Sequence, residues 1–461
     1  MVRAQRPLVA AVATVAAARI ATTALRPRSP VPTPPRGARP GAGRGAIEAE
    51  SYFTADQLHR VRRYRRPQAL LGAGETALQL AVLWRLARRR PAAPATTVAP
   101  GEDAAPPVRA PSVAERHPVL AGALAGATTL LATGAAPLPL AALARHRAVR
   151  AGLATGTWRL WATDLARAAA LEAAAGAALG AGTVALVRRD PTGWWRPAAG
   201  VGVGASAALT FAAPLLIEPL FSRSRPVEDE ELVADLRAIA GRAGVRLRAV
   251  LVSDASRRTT AVNAYVSGFG RSRRVVFWDT LLEGFGARET RMVVAHELSH
   301  VVHRDVPRSL VFLALVAAPA AAATAALAEL LTPDGAGAPG RTRSGDPLPV
   351  SVPAVLLAGA AAGLLPATEM ARLSRAIERR ADAEALGWTG DPGALIGFFQ
   401  RIAVTNVGDP DPRGVGRLLH DLLGTHPTVL ERIGAAVAHA DAHGIALPPA
   451  APVVALPAGA D

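Results

Sequence analysis

The sequence predicts a mostly α-helical, polytopic membrane protein with an α+β block set between its apolar segments. Three observations predict it. Seven apolar runs, at residues 7–25, 68–87, 118–143, 166–187, 197–217, 308–331 and 349–367, each approach the ~20 residues a helix needs to cross a bilayer. Between the fifth and sixth runs lies a polar stretch that opens with an amphipathic helix, continues through short strand-like segments and ends in a further helix. The third observation is composition: half of the residues are hydrophobic, and the 42 glycines and many alanines suit close helix packing in lipid.

Taken in order, residues 1–217 form an N-terminal membrane domain with about five spans. Arg3 and Arg6 ahead of the first run also fit a signal peptide. The interior Arg19 and the lack of a clear cleavage pattern favour an uncleaved helix. Residues 26–44 and 91–111, rich in Pro, Arg and Gly, read as loops. Residues 218–307 form a first extramembrane block. In it, residues 228–243 read as an amphipathic helix with Glu228, Asp229 and Glu230 in its first turn. Residues 248–253, 264–268 and 274–278 read as strands, the last two joined by a glycine-containing turn into a hairpin. A further helix starts near Ala287. Residues 308–368 form a membrane hairpin around the polar loop 332–346. Residues 369–440 form a second, mostly helical extramembrane block, and the Ala/Pro-rich residues 441–461 read as a disordered tail.

Charge and cysteine content exclude some chemistries. The formal charge is +16, and every cation is an arginine. Few aromatics interleave with the arginines, so nucleic-acid binding is not expected. With no cysteine, disulfides, thiol nucleophiles and thiolate metal ligands are all excluded, and a zinc site would have to use His and carboxylate. Arginines such as Arg60, Arg62, Arg63, Arg65 and Arg66 cluster on the side of the extramembrane blocks, together with Arg145 and Arg147. By the positive-inside rule that side is cytoplasmic, although Arg88, Arg89 and Arg90 argue the other way.

The helix near Ala287 carries the most informative run, Met292-Val293-Val294-Ala295-His296-Glu297-Leu298-Ser299-His300-Val301-Val302-His303. Residues four apart share a helix face, so His296 and His300 can grip one metal ion. Glu297 beside them can act as general base on a metal-bound water. Chance would place this pattern in about one in a hundred chains of this composition, which favours metal binding. His303 lies on nearly the same face, but seven residues rise ~10 Å, too far to join both other histidines on one tetrahedral ion.

A third ligand is needed. Glu378 and Asp382, four apart in Ser374-Arg375-Ala376-Ile377-Glu378-Arg379-Arg380-Ala381-Asp382, can supply a ligand and a carboxylate that fixes a histidine tautomer. Spacing alone favours the plainer reading, a solvated helix whose acids pair with neighbouring arginines. His426, before Pro427, reads equally as a donor to an oxyanion and as a cap-region histidine.

The ordered motifs resemble the membrane-embedded zinc endopeptidases that include type I CAAX prenyl proteases and HtpX-type heat-shock proteases, and more closely the CAAX type. The resemblance rests on Pro219-Leu220-Phe221, Asp254-Ala255-Ser256-Arg257-Arg258, Asn263-Ala264-Tyr265 and Asp279-Thr280-Leu281-Leu282. It continues through His296-Glu297-Leu298-Ser299-His300, Glu378-x-x-x-Asp382 and Thr425-His426-Pro427. Gly152-Leu153, Trp161, Asp164 and Trp194-Trp195 extend it into the membrane half, so that it covers roughly residues 48–438. Ser299 stands where the family often has Gly, and Thr259-Thr260-Ala261-Val262 replaces a serine-rich run.

The resemblance implies a barrel of membrane helices around a chamber, capped by a gluzincin-like α+β zinc protease domain with a small sheet. It implies one Zn²⁺ per chain held by His296, His300 and Glu378, with Glu297 as base and Asp382 as a supporting partner. Asn263 and Ala264 would pair with an extended substrate backbone, and His426 would touch the oxyanion or substrate. The implied partners are the bilayer and membrane-associated peptides, in a multi-pass cell-membrane protein. Prenylated C-termini and misfolded membrane proteins both remain open as substrates. A non-cleaving zinc scaffold is a further alternative, against which the intact Glu297 argues.

Overall fold

A computed structural model describes residues 2–28, 47–89, 113–268, 270–333, 337, 342 and 346–453. The expected loops 26–44 and 91–111, most of loop 332–346 and the end of the tail fall largely or wholly outside these residues. The membrane half consists of α1 (Val2–Leu25), short α2 (Ala49–Tyr52), α3 (Ala55–Ala87), short α4 (Val113–Arg116), α5 (Pro118–Ala135), α6 (Leu138–Arg150), α7 (Trp158–Arg189), α8 (Trp195–Leu216) and short α9 (Glu218–Phe221). After it come β1 (Ser224–Pro226), α10 (Glu230–Arg242), β2 (Ala249–Ser253), β3 (Ala264–Ser267), β4 (Arg274–Trp278), short α11 (Asp279–Gly284) and α12 (Ala287–Val302). The chain then runs through α13 (Asp305–Leu331), α14 (Val352–Thr389), α15 (Pro392–Thr405), α16 (Val415–Leu423) and α17 (Val429–His443).

Among the described residues, six helices are long and apolar enough to span a bilayer: α1, α5, α7, α8 (continuing through α9), α13 and α14. The chain is a multi-pass membrane protein. The seventh expected run, 68–87, is the second half of α3 and is not among the six. Gln68, Glu75, Gln79 and Arg85 dilute its apolar character, yet it packs within the bundle on α5, α6 and α14. Run 118–143 is also two elements: α5 ends at Ala135, and Pro137 precedes the separate, amphipathic α6.

Glycine sets the tightest packing in the membrane half. Gly122 and Gly126 on α5 face Gly176 and Gly180 on α7, and a Cβ added at Gly126 would lie 1.9 Å from the Gly176 carbonyl oxygen. Only hydrogen fits there, so the two backbones touch directly.

The four-stranded sheet has the order β1-β2-β4-β3. β3 and β4 form the expected antiparallel hairpin, with Ala264 opposite Phe277, while β2 runs parallel to β4. β1 is too short to show a period, and sequence reading misses it; β3 is an edge strand and packs beside α12. Phe277, Leu281, Met292, Leu298, Leu386 and Ile433 fill the core between sheet and helices.

Two features tie this domain to the membrane half. α14 runs unbroken for 38 residues, about 57 Å, from a membrane span into the carboxylate segment. The boundary read at residue 369 therefore falls inside a single helix. Arg258 grips Asp164 on α7 with two hydrogen bonds of 2.8 and 3.1 Å. Beside that pair the Thr155 amide donates to the Arg258 carbonyl, and the Thr260 hydroxyl donates to the Gly152 carbonyl.

Candidate metal centre

α12 is a buried helix because Met292, Val293, Val294, Ala295 and Leu298 pack into the core. Its remaining face turns His296, Glu297 and His300 toward α14. Helical spacing brings the two Nε2 atoms to 3.2 Å from each other. Glu378 reaches in from α14, its Oε2 3.3 Å from His296 Nε2 and its Oε1 3.6 Å from His300 Nε2. A tetrahedral ion with bonds of ~2.0–2.1 Å needs its ligand atoms ~3.3–3.4 Å apart. Each imidazole nitrogen stands near that spacing from its neighbour and from one Glu378 oxygen, and one ligand atom from each of the three residues lies within 4.8 Å of the others.

The outer nitrogens are held by carboxylates. His296 Nδ1 lies 3.0 Å from Asp382 Oδ1, one turn beyond Glu378. His300 Nδ1 lies 2.9 Å from Asp305 Oδ2. Each carboxylate keeps the ring proton on Nδ1 and leaves the Nε2 lone pair facing the centre. Asp382 is in turn held by buried Arg432, whose Nε donates at 2.7 Å, and Asp305 by buried Arg380. The donor set of two imidazoles and one carboxylate, with its tautomers fixed from behind, fits a divalent metal ion.

The electrostatics favour a cation. Burial works against a charge on His296, yet the hydrogen bonds to Asp382 and Glu378 outweigh it and raise its pKa, so the site draws positive charge to this ring, and a metal ion on Nε2 would take the place of the proton. Burial raises the Glu297 carboxyl above the usual carboxylate range, opposed by His296, His300 and Arg432 and reinforced by Glu378.

Other predicted residues fall around this centre. His426 is exposed, with Nε2 3.6 Å from Glu378 Oε1. His303 faces away from the centre and meets Glu384 at 2.6 Å; Glu384 also accepts from the Ser299 hydroxyl at 2.7 Å. Asn263 sits exposed at the start of edge strand β3, its side-chain oxygen accepting from the Ala264 amide at 2.9 Å. Sequence reading missed Asp305 and Arg432. Asp305 follows Arg304, whose left-handed φ of 54° turns the chain sharply from α12 into α13. An acid at that helix junction was the available signal. Arg432 offered only an arginine within an otherwise apolar helix face.

The centre opens into a cleft of about 1570 Å³ between the sheet and helices α8, α13 and α14. Glu297, His300 and Glu378 lie at its floor, and Phe211, Leu215, Leu310, Met370, Leu373 and Ile377 supply an apolar wall. The opposite wall carries Tyr265, Arg273 and Arg274. Tyr265 donates to Glu218 at 2.5 Å, and burial together with that carboxylate raises its pKa.

A multi-pass membrane bundle with a His-His-Glu cluster, two histidines on an HExxH helix and the glutamate on α14, defines the class. Residues 226–440 match the model of peptidase family M48. A protease HtpX homolog of Burkholderia thailandensis is 32% identical over 216 residues, 43% of this chain and 70% of that protein. The chain belongs to peptidase family M48, and the family implies a bound metal. It is also similar to the uncharacterized metalloprotease YhfN of Bacillus subtilis, 28% identical over 251 residues, 54% of this chain and 57% of that protein. CAAX prenyl protease 1 of Saccharomyces cerevisiae is 30% identical over 158 residues, 34% of this chain and 35% of that protein. The matched region thus spans 57% and 35% of these two relatives. The crystal structure of S. mikatae Ste24p superposes with a TM-score of 0.62 over 93% of this chain and 98% of that one, at 21% identity, so the fold is shared.

Proposed function

We propose that the chain is a zinc-dependent endopeptidase acting on hydrophobic, membrane-associated peptides. The observation that carries this is the convergence of His296, His300 and Glu378, one ligand atom from each within 4.8 Å of the others, with Glu297 beside them in a cleft with an apolar wall. Two histidines and a glutamate without any thiolate form a donor set suited to catalytic zinc. His296, His300 and Glu378 would hold it. When bound, zinc supplies Lewis-acid polarisation of the scissile carbonyl and acidifies the attacking water.

The protein's own groups do the rest. Glu297 takes the proton from the attacking water and delivers it to the leaving amine. Asp382 and Asp305 keep the two imidazoles oriented, and Arg432 fixes Asp382. The free edge of β3, from Asn263 and Ala264, pairs with an extended substrate backbone and aligns the scissile bond. His426, at the mouth of the site, donates to the developing oxyanion.

The arginine-rich ends of α3 and α6 support a cytoplasmic site in the cell membrane. Arg65 reaches the Val407 carbonyl at 3.5 Å, and Arg145 donates to the Gly156 and Thr157 carbonyls beside Thr155, whose hydroxyl donates to the Ser256 carbonyl, so both stand on the metal-domain side.

The test compares wild type with Glu297→Gln, purified in detergent. Glu297→Gln keeps one zinc per chain and loses cleavage of a hydrophobic fluorogenic peptide; full activity in that variant would remove the assignment. A panel of prenylated and unmodified peptides then separates a processing enzyme, as the CAAX-type relative's name describes, from a quality-control protease.

A further inference from the structure

A second cavity, of about 1150 Å³, lies between the first half of α3 and helix α6, and the proposed peptidase chemistry makes no use of it. Its lining changes character from one end to the other. On α3 the sequence passes from Asp56, His59, Arg60 and Arg63 to Leu70, Leu71 and Gly74. Asp56 and Gly74 are eighteen residues apart, which sets the cavity's length along this helix at about 27 Å. On α6 the order is reversed, from Leu140 and Leu143 to His146, Arg147 and Arg150. The cationic ends of the two helices coincide, and so do their apolar ends: the Leu140 side chain lies against Gly74, where an added Cβ would be 3.0 Å from it.

The cationic end has little to neutralise it. Asp56 is the one carboxylate in the lining, against four guanidinium groups. Among the described residues, Arg60 donates to the Ala151 carbonyl at 3.1 Å, while Arg63, Arg147 and Arg150 have no ion pair. Arg147 Nε is buried and has no hydrogen-bond partner. A buried guanidinium nitrogen left without an acceptor is costly unless something else supplies one.

The position suits a lipid. Arg65, one turn from the cavity's cationic end, reaches the Val407 carbonyl in the metal domain, and the segment after α6 bonds to residues 256–260. The cationic end therefore lies at the membrane face that carries the metal domain, and the apolar end points away from that face along the membrane half, with Leu70 and Leu143 exposed on the bundle's outer surface. An aqueous phosphate would satisfy the arginines but leave the leucine-lined half empty. An acyl chain alone would leave the arginines unpaired. Basic pockets between membrane helices take anionic headgroups, and arginine matches phosphate oxygens with paired N–H donors.

We propose that this cavity is a binding site for one anionic phospholipid, with its phosphate among Arg63, Arg147 and Arg150 and an acyl chain along Leu70, Leu71, Leu140 and Leu143. The bound lipid fixes α6 on α3, and so steadies the Gly152–Thr155 segment that docks on the metal domain.

The test is native mass spectrometry of the full-length protein, delipidated in neutral detergent and titrated with phosphatidylglycerol or phosphatidylcholine. Wild type retains one phosphatidylglycerol at collision energies that strip phosphatidylcholine. Arg63→Gln/Arg147→Gln lowers that occupancy at least tenfold, while Arg225→Gln, at a distant exposed pair, leaves it unchanged. Melting temperature of each variant without lipid identifies any that fails to fold, and Arg150→Gln alone then serves, with an intermediate loss expected. Glycerol phosphate at millimolar concentration does not displace the lipid. Equal retention of both phospholipids, unchanged occupancy in the arginine variants, or displacement by glycerol phosphate alone would each overturn the proposal. None of these readouts depends on zinc or on peptide cleavage.

Discussion

Arg432 Nε donates to Asp382 Oδ2 at 2.7 Å, and both residues are buried, with the Asp382 side chain 1% exposed. The pair stands directly behind His296, and the Arg432 guanidinium also lies 4.0 Å over the Phe399 ring. It neutralises a carboxylate that must stay ionised to hold the His296 Nδ1 proton. Arg432→Met leaves that charge buried and unpaired, a loss of ~3–5 kcal/mol. A supporting contact of this kind is worth about 10–100-fold in metal affinity. Arg432→Lys keeps the charge but not the planar fork, and is expected to recover stability only in part. Thermal melts with metal analysis check both variants; a wild-type melt for Arg432→Met would show that the pair is dispensable.

Asp305 performs the matching task for His300 from a different helix. Asp305→Asn preserves size but can present an N–H to Nδ1, which favours the wrong tautomer, and it leaves buried Arg380 without its anion. Metal affinity is expected to fall by about 10–100-fold, with partial recovery at high metal concentration. Asp305→Asn combined with Arg380→Met should be less destabilised than Asp305→Asn alone, because the stranded cation is gone. Competition with a chelator of known affinity gives the first number, and the melting temperatures of the two variants give the second.

The ligand helix was legible because its chemistry is local: His296, Glu297 and His300 lie within five residues, and helical geometry alone brings them together. Glu378 was visible as a candidate but not as a ligand, since its spacing to Asp382 equally suits a solvated helix. The 38-residue α14 delivers it, and nothing in the local pattern states where so long a helix will point. Arg432 was not legible at all, because its value comes from a partner fifty residues away. The membrane half shows the converse limit. Hydropathy found the spans but merged α5 with α6 across Pro137, since a run of apolar residues does not show where one helix ends and the next begins.

Backbone contact between α5 and α7 makes a sharp steric prediction. Gly126→Val places a branched side chain where even a Cβ would lie 1.9 Å from the Gly176 oxygen. The helices must separate along the Gly122–Gly126 and Gly176–Gly180 faces, a loss of at least ~1–3 kcal/mol. Gly182, on the same α7, has nothing within 4 Å of its added Cβ, so Gly182→Ala should cause no loss. Melting curves in one detergent compare the two; equal behaviour would show that the glycine contact does not hold the bundle.

Acid should weaken one identifiable joint in the metal domain. Asp391 caps α15 by accepting from the Ala394 amide at 2.9 Å, and it accepts two 2.7 Å hydrogen bonds from Arg288 on α12. Burial alone would raise its carboxyl, but the bonds from Arg288 and the Ala394 amide outweigh that and hold it below the usual carboxylate range. A carboxyl with a folded-state pKa below its unfolded value stabilises the fold fully above the unfolded value, near ~4, and loses that contribution as pH falls through the folded one. Arg288 is 72% exposed, so solvent screening limits the ion pair to under ~1 kcal/mol. The cap adds about 1 kcal/mol. Asp391→Asn keeps a competent cap and loses the charge, whereas Asp391→Ala loses both. At pH 7 the expected stability order is wild type, then Asn, then Ala. As pH falls below ~4 the gap between wild type and Asn should close. Melts of the three proteins between pH 7 and pH 3 measure this, and a wild-type-to-Asn gap that stays constant with acid would assign the joint to the cap alone.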